Sequence, residues 1–159
     1  MLTVNSISPE RFDQAYPLAR TAVETLTLAS WRSFLGTRGD PQVSGLLGVE
    51  NRRQVLLGLA AWHRGLDIEH GVCLISDFVA VFDLIGGIAV ATRLVDALED
   101  RARALGCRSL QVHVVGDPAE LAETPLVSSL LARDHRVEGT RLCKFLARKR
   151  YPALIPQLP

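Results

Sequence analysis

The sequence is short of the residues that usually announce a chemistry. It has 3 cysteines, Cys73, Cys107 and Cys143. The count is odd and no two stand in CxxC spacing, so neither a disulfide framework nor a thiolate metal site is expected. Each lies in or beside an apolar stretch, where a free thiol behaves as a small buried hydrophobe. The 4 histidines, His63, His70, His113 and His135, form no i, i+4 pair and no HExxH, so no metal is expected. No run of 18 apolar residues occurs, which excludes a helical membrane span. The opening residues, MLTVNSISPERF, lack a basic start and a long apolar core, and do not read as a secretory signal. An excess of one charge is also missing, with 18 Lys plus Arg against 17 Asp plus Glu and a net charge of +1. Counterion-driven binding needs a basic surplus or stripe, so nucleic acid is not expected as the main partner.

What remains is ordinary globular material. Apolar residues make up 48% of 159, enough for a core of one domain. The expectation is one soluble, cytoplasmic domain over 1–150 and a proline-containing tail over 151–159. The tail, YPALIPQLP, is apolar enough to suit a homodimer contact.

The chain reads as alternating elements. LTVNSI (2–7) is a strand. A helix follows, opened by Ser8 and Pro9, with Phe12, Ala15, Ala19 and Val23 at helical spacing. Pro17 is expected to kink or divide it. A second helix spans 28–36, with Leu28, Trp31, Phe34 and Leu35 on one face. Segments 43–50 and 55–64 read as a hairpin joined by four residues, and 65–71 as a loop. VCLISDFVAVF (72–82) is a long apolar strand, expected to be central. Then comes an amphipathic helix with a stripe of Ile88, Ala91, Val95, Leu98, Ala102 and Leu105, stopped by Gly106. A strand at 108–116, a helix at 125–133 capped by Thr124 and a strand at 137–148 complete the order β-α-α-β-β-β-α-β-α-β.

One segment carries chemical information. Between the long strand and the amphipathic helix lies DLIGGIAVATRL. A glycine pair opening a helix exposes unpaired backbone N–H groups, which with the helix dipole make a site for phosphate. The pattern is neither GxGxxG nor GxxxxGK[ST], so on its own it stays open between a phosphate site and a plain tight turn.

In its surroundings the segment resembles the GNAT N-acetyltransferase superfamily. That family's turn has the form Gln/Arg-x-x-Gly-x-Gly/Ala, and here it reads Leu84-Ile85-Gly86-Gly87-Ile88-Ala89. Gly87 and Ala89 match its small positions, and Leu84 stands where Gln or Arg is usual. GGIAVATRLVDALEDRARALGCRSLQVHV looks like the family's passage from turn to next strand, and ARDHRVEGTRLCKFL like its last helix–strand passage. The resemblance implies an α/β (α+β) fold with a mixed, mostly antiparallel sheet of six to seven strands flanked by helices. It implies an enzyme that moves an acetyl or acyl group from acetyl-CoA to a primary amine of a small molecule or protein by direct attack, without a metal. The pyrophosphate would rest on the main chain of Leu84, Ile85, Gly86, Gly87, Ile88 and Ala89. The pantetheine arm would lie along Val79, Ala80 and Val81, where a backbone N–H polarises the thioester carbonyl.

The residues that would move protons are read separately. Asp77, an acid inside an apolar strand, is a candidate base or a structural carboxylate bonded to neighbouring backbone or to an arginine at the sheet end. Glu69, with His70 beside it, and His113, which alternates with Val112 and Val114, are further candidates, each also readable as a solvated or packed side chain. Trp31 and Phe34 are core residues or, by resemblance, part of an acceptor pocket, and Tyr16 has the same double reading. The family's tyrosine acid is replaced by Leu130, beside Ser128 and Ser129. Glu123 and Thr124 stand in the region of its helix-start asparagine. Leu84 and Leu130 therefore leave an alternative open: a GNAT-fold module that binds CoA or a protein partner without catalysis.

Overall fold

A computed structural model describes residues 1–38, 40–82, 87–114, 121 and 123–139. In chain order the elements are β1 (Thr3–Ser6), a 3-10 turn (Pro9–Arg11), α1 (Phe12–Ala22), α2 (Leu28–Gly36), β2 (Ser44–Glu50), β3 (Leu56–Asp67), β4 (Gly71–Val81), α3 (Gly87–Ala104), β5 (Ser109–Val112) and α4 (Pro125–Leu131). The strands pair in chain order into one sheet of five among the described residues. The first three pairings are antiparallel and β4–β5 is parallel. The mixed, mostly antiparallel α/β architecture is the expected one. The expected last strand at 137–148 lies largely outside the described residues, and Val137, Glu138 and Gly139 carry no strand. The tail at 151–159 and Cys143 also lie outside them.

Each face of the sheet is covered by helices. On one face α1 and α2 bury Ala15, Leu18, Ala19, Trp31 and Leu35 against Leu46, Leu59, Ala61, Phe78 and Ala80. On the other, α3 buries Val90, Leu94, Leu98 and Ala102 against Leu47, Val49, Ala60, Trp62 and Leu74. The second layer continues into α4, whose Leu126 and Leu130 pack on Ala91 and Val95. A Cβ on Gly58 would stand 2.5 Å from Val90 Cγ1. A glycine there lets α3 lie directly on the β3 backbone.

Local signals place the helix ends. Thr27 accepts from the Ser30 N–H and caps α2, and Thr124 caps α4 in the same way, at the expected residue. Gly106, at φ +67, ends α3 as a left-handed residue.

Five expectations need correction. Residues 65–67 are not loop: Gly65, Leu66 and Asp67 pair with Cys73, Val72 and Gly71, because cross-strand pairing outweighs loop-like composition. Pro17 does not divide α1. The carbonyl it leaves without a donor belongs to exposed Asp13, where water can serve. Ile88 is not on the core stripe of α3 but 65% exposed; Val90 and Leu94 carry that face. α4 stops at Leu131, two residues short of the expected 125–133, whereas β4 is interior as expected, with β3 and β5 on either side. β5 pairs only over 109–112, four residues of the expected 108–116; residues 115 and 116 lie outside the described residues.

Candidate functional site

The site starts from a fault in β4. Ala61 pairs with Phe78, but Trp62 pairs with Ser76, so Asp77 is an extra residue without a partner on β3. A bulge of this kind shifts the parity of the strand beyond it. Before it, the carbonyls of Val72 and Ser76 accept from the β5 side, from Arg108 N (2.7 Å) and His113 N (3.0 Å). After it, Phe82 N donates to Leu57 O on the β3 side at 2.8 Å. Alternation from Phe82 turns the backbone of Val79 and Val81 away from β3. β5 no longer pairs there: the last parallel pair is Ser76 with Val112.

The two strands therefore part, and a cavity of about 230 Å³ opens between them. Its walls are Val79, Ala80 and Val81 of β4, Phe78, His113 and Val114 beside the fork, Thr21 and Ala22 of α1, and Thr124 with Pro125 at the start of α4. It is a slot lined by main-chain groups that have no partner strand among the described residues. Beyond Val81 and Phe82 the described chain resumes at Gly87 with α3, whose first-turn N–H groups, at Gly87, Ile88 and Ala89, have no acceptor among the described residues of the helix. Gly87 is buried, while Ile88 and Ala89 are exposed. The remaining turn residues named from the sequence, Leu84, Ile85 and Gly86, lie outside the described residues.

The fork itself is where β4 and β5 part. Val112 and Val114 pack toward α3 and α4, so His113 projects to the α1–α2 side, the side of Phe78. Leu130 is buried against α3 and puts no polar group near the slot. Trp31 is not at a pocket: it is 1% exposed, and its indole N–H donates to Phe12 O at 2.8 Å. Tyr16 likewise packs on the core and donates its hydroxyl to Leu26 O at 2.9 Å. Phe34 is half-buried and stacks on Trp31 with 6.0 Å between centroids.

Asp77 sits beside the fork and is held by two groups the sequence reading did not single out. Arg38, just after α2, donates from Nη2 to Asp77 Oδ2 and from Nη1 to Trp62 O at 2.8 Å. Its guanidinium lies over the Phe34 ring, 4.1 Å from the centroid. His63 of β3 places Nδ1 2.9 Å from the same Asp77 oxygen. The bulge explains why an acid is tolerated in an apolar strand: as the extra residue it points, with Phe78, to the α1–α2 face. The sequence signal for His63 was available, since a hairpin turning at 68–70 brings it near residue 75. Nothing in the sequence marks Arg38.

Glu69 and His70 are elsewhere. They form the turn between β3 and β4, about 20 Å along β4 from the slot. Asp67 holds this turn by accepting from the backbone N–H groups of Glu69 (2.9 Å) and His70 (2.8 Å). The His70 N–H, the Gln111 side chain and the Glu69 N–H hold its carboxyl down at about 2. Desolvation works against the charged form of His70, but Glu138, with Nε2 to Oε2 at 2.8 Å, and Asp67 outweigh it and raise its pKa. A lowered acid stabilises the fold above its ordinary value of 3.8 and loses that contribution as pH falls through about 2. A raised histidine stabilises it fully below its ordinary 6.5 and loses that as pH rises through the folded value. Protection of the Glu69 and His70 amides from hydrogen exchange should therefore be greatest between about pH 4 and about pH 6.5. After correction for intrinsic exchange, protection that rises steadily through pH 8 would contradict this.

Cys73 is buried and its thiol is pushed up by that burial, so it is inert. Glu50, also buried, is held low by the Arg11 guanidinium and receives the Asn5 amide; it ties β2 to β1 and the 3-10 turn.

No family model matches the sequence, and no curated protein matches it. Solved structures do match. A structure described as a transcriptional regulator from Bacillus halodurans superposes with a TM-score of 0.70 at 14% identity, over 91% of this chain and 99% of that one. An aminoglycoside antibiotic 6'-N-acetyltransferase from Acinetobacter baumannii gives 0.71 at 12%, over 94% and 99%. A second such enzyme, in complex with a bisubstrate analog of CoA and acetylneamine, gives 0.66 at 14%, over 95% and 99%. At these identities the likeness is one of fold. With its sheet order, the parted strands and the helix that starts at Gly87, the chain has the fold of the GNAT N-acetyltransferases.

Proposed function

We propose that the protein is an N-acetyltransferase that takes an acetyl group from acetyl-CoA and gives it to a primary amine by direct attack. The observation that carries this reading is the slot opened by the Asp77 bulge between β4 and β5. An extended pantetheine arm fits it as a strand would, because Val79 and Val81 present along its wall backbone groups that no described strand pairs. The pyrophosphate then falls on the N-terminal N–H groups of α3, where phosphate is favoured by the helix dipole. That anchor is mostly main chain, so Leu84 in place of Gln or Arg does not remove it.

The acetyl end lies at the fork, between Phe78 and His113. A backbone N–H of β4 there stabilises charge on the carbonyl oxygen as the amine attacks. His113 faces the departing sulfur and relays a proton to it from solvent, the role for which Leu130 has no polar group. The amine enters from the α1–α2 side, past Thr21 and Ala22. Its size and charge are set by residues on that face.

The test is a thermal-shift titration with acetyl-CoA. At about 100 times its dissociation constant the ligand should stabilise the fold by about 2.7 kcal/mol. For a chain of this length that is a rise of about 5–10 °C. No rise at millimolar acetyl-CoA would overturn the reading.

A further inference from the structure

We infer that His63 is the base that takes the proton from the attacking amine, and that Asp77 and Arg38 hold it in position. The inference rests on the acetyl-transfer reading above. It starts from three side chains that the topology brings together from β3, β4 and the loop after α2. His63 Nδ1 stands 2.9 Å from Asp77 Oδ2. Arg38 Nη2 donates to that same oxygen, and Arg38 is fixed in turn by Trp62 O and the Phe34 ring. Side-chain exposure is 8% for Arg38, 23% for Asp77 and 36% for His63. The buried end of the cluster is thus a rigid ion pair, and the open end is an imidazole.

The contacts assign the ring's chemistry. Asp77 accepts only if Nδ1 carries the proton, so in the neutral ring Nε2 is the basic nitrogen. Asp77 Oδ2 already receives two donors, which leaves Nε2 as the proton acceptor of the cluster. The groups facing His63 are few. Its cross-strand neighbours are Ser44 on β2 and Ile75 on β4, neither acidic nor basic. Among the described residues Asp77 is its charged partner, and Arg38 acts on it through the Asp77 oxygen they share.

The position fits the reaction. Asp77 is adjacent to Phe78 on the cavity wall and projects to the α1–α2 face, from which the acceptor approaches. His63 therefore lies beyond the acyl end of the slot, on the acceptor's side of the thioester. In the step, the amine nitrogen forms a bond to the carbonyl carbon and gives one proton to His63 Nε2. The C–S bond breaks and its electron pair leaves with the sulfur. The imidazolium so formed is balanced by Asp77 until its proton passes to solvent. The sulfur leaves as a thiolate and takes a proton that His113 relays from solvent.

The experiment measures CoA thiol release from acetyl-CoA with excess ethanolamine, a minimal primary amine, as a function of pH. It is run on the full chain beside the thermal shift. His63→Gln should lower amine-dependent release by about 10²–10⁴-fold, leave KM for acetyl-CoA and the thermal shift unchanged, and remove the basic-group limb of the pH profile. Asp77→Asn should lower kcat comparably without changing KM, and Asp77→Glu should recover part of it. Retention of rate and pH limb in His63→Gln overturns the inference, as does transfer of that limb to a His113→Gln variant. Absence of amine-dependent release by the unaltered protein that still shows the thermal shift overturns it too. Loss of the thermal shift in the unaltered protein instead strikes the acetyl-CoA reading itself.

Discussion

Replacing Trp31 by alanine is expected to cost about 3–5 kcal/mol of stability, a fall in Tm of about 6–20 °C. The indole is 1% exposed and lies where α1, α2 and β4 meet. It stacks on Phe34 and meets Phe78 edge-on with centroids 5.8 Å apart. Alanine would leave a cavity beneath both helices, and the packed neighbours can close on it only in part. The size of the loss can be apportioned with Trp31→Phe. That change keeps the ring stack and removes the N–H bond to Phe12 O, worth about 1 kcal/mol. Phe12 is the first residue of α1, so its carbonyl still accepts from Tyr16 N–H in the helix. The phenylalanine variant should therefore fall well short of the alanine variant in chemical denaturation. Equal losses for both would mean that the hydrogen bond, not the packing, holds α2 on the sheet. Because Phe78 also lines the slot, the alanine variant should weaken acetyl-CoA binding as well.

That packing was legible from the chain. Leu28, Trp31, Phe34 and Leu35 recur at helical spacing behind a threonine cap, and α2 spans the expected residues. Equally legible were the start of α4 behind Thr124 and the stop of α3 at Gly106. These are local signals, set within one turn of chain. Ile88 misled because its spacing fits the stripe while its position, in the first turn of α3, leaves it 65% exposed. Residues 65–67 misled because glycine and aspartate look like turn chemistry until a partner strand pairs with them.

The candidate site divides along the same line. The slot's wall at Val79, Ala80 and Val81 could be placed from the resemblance, because the family's order of elements fixes which strand precedes the turn. The bulge that opens the slot could not, since it is a mismatch in pairing between β3 and β4 and has no composition of its own. Asp77 was visible as an acid in an apolar run. The hairpin also brings His63 near it, but Arg38 was not legible, because it reaches Asp77 from 39 positions away through a loop. Trp31 looked as suited to a pocket as to a core, and only its burial decides between them.

The second large effect separates binding from folding by giving them opposite signs. Ala89 lies in the exposed first turn of α3. A glutamate there favours the helix, since a negative charge near an N-terminus stabilises it by about 0.3–1 kcal/mol. The ligand-free Ala89→Glu protein should therefore melt at or slightly above the original temperature. If the CoA pyrophosphate rests on this helix end, the same carboxylate faces it. One like-charge pair about 5 Å apart at an effective dielectric near 20 costs about 3 kcal/mol. That is more than a hundred-fold in dissociation constant, and the thermal shift at fixed acetyl-CoA should nearly vanish. Added salt should restore part of it, because the repulsion is between exposed charges. Gly87→Glu should be harsher on both counts, since Gly87 is buried and the new side chain enters the helix end itself. A normal acetyl-CoA shift in Ala89→Glu would move the phosphate site off α3. The slot alone would then have to hold the ligand, through the backbone of Val79 and Val81, and affinity would depend on the pantetheine arm. Pantetheine without its nucleotide would in that case compete as well as CoA. If α3 is the anchor, it should compete poorly.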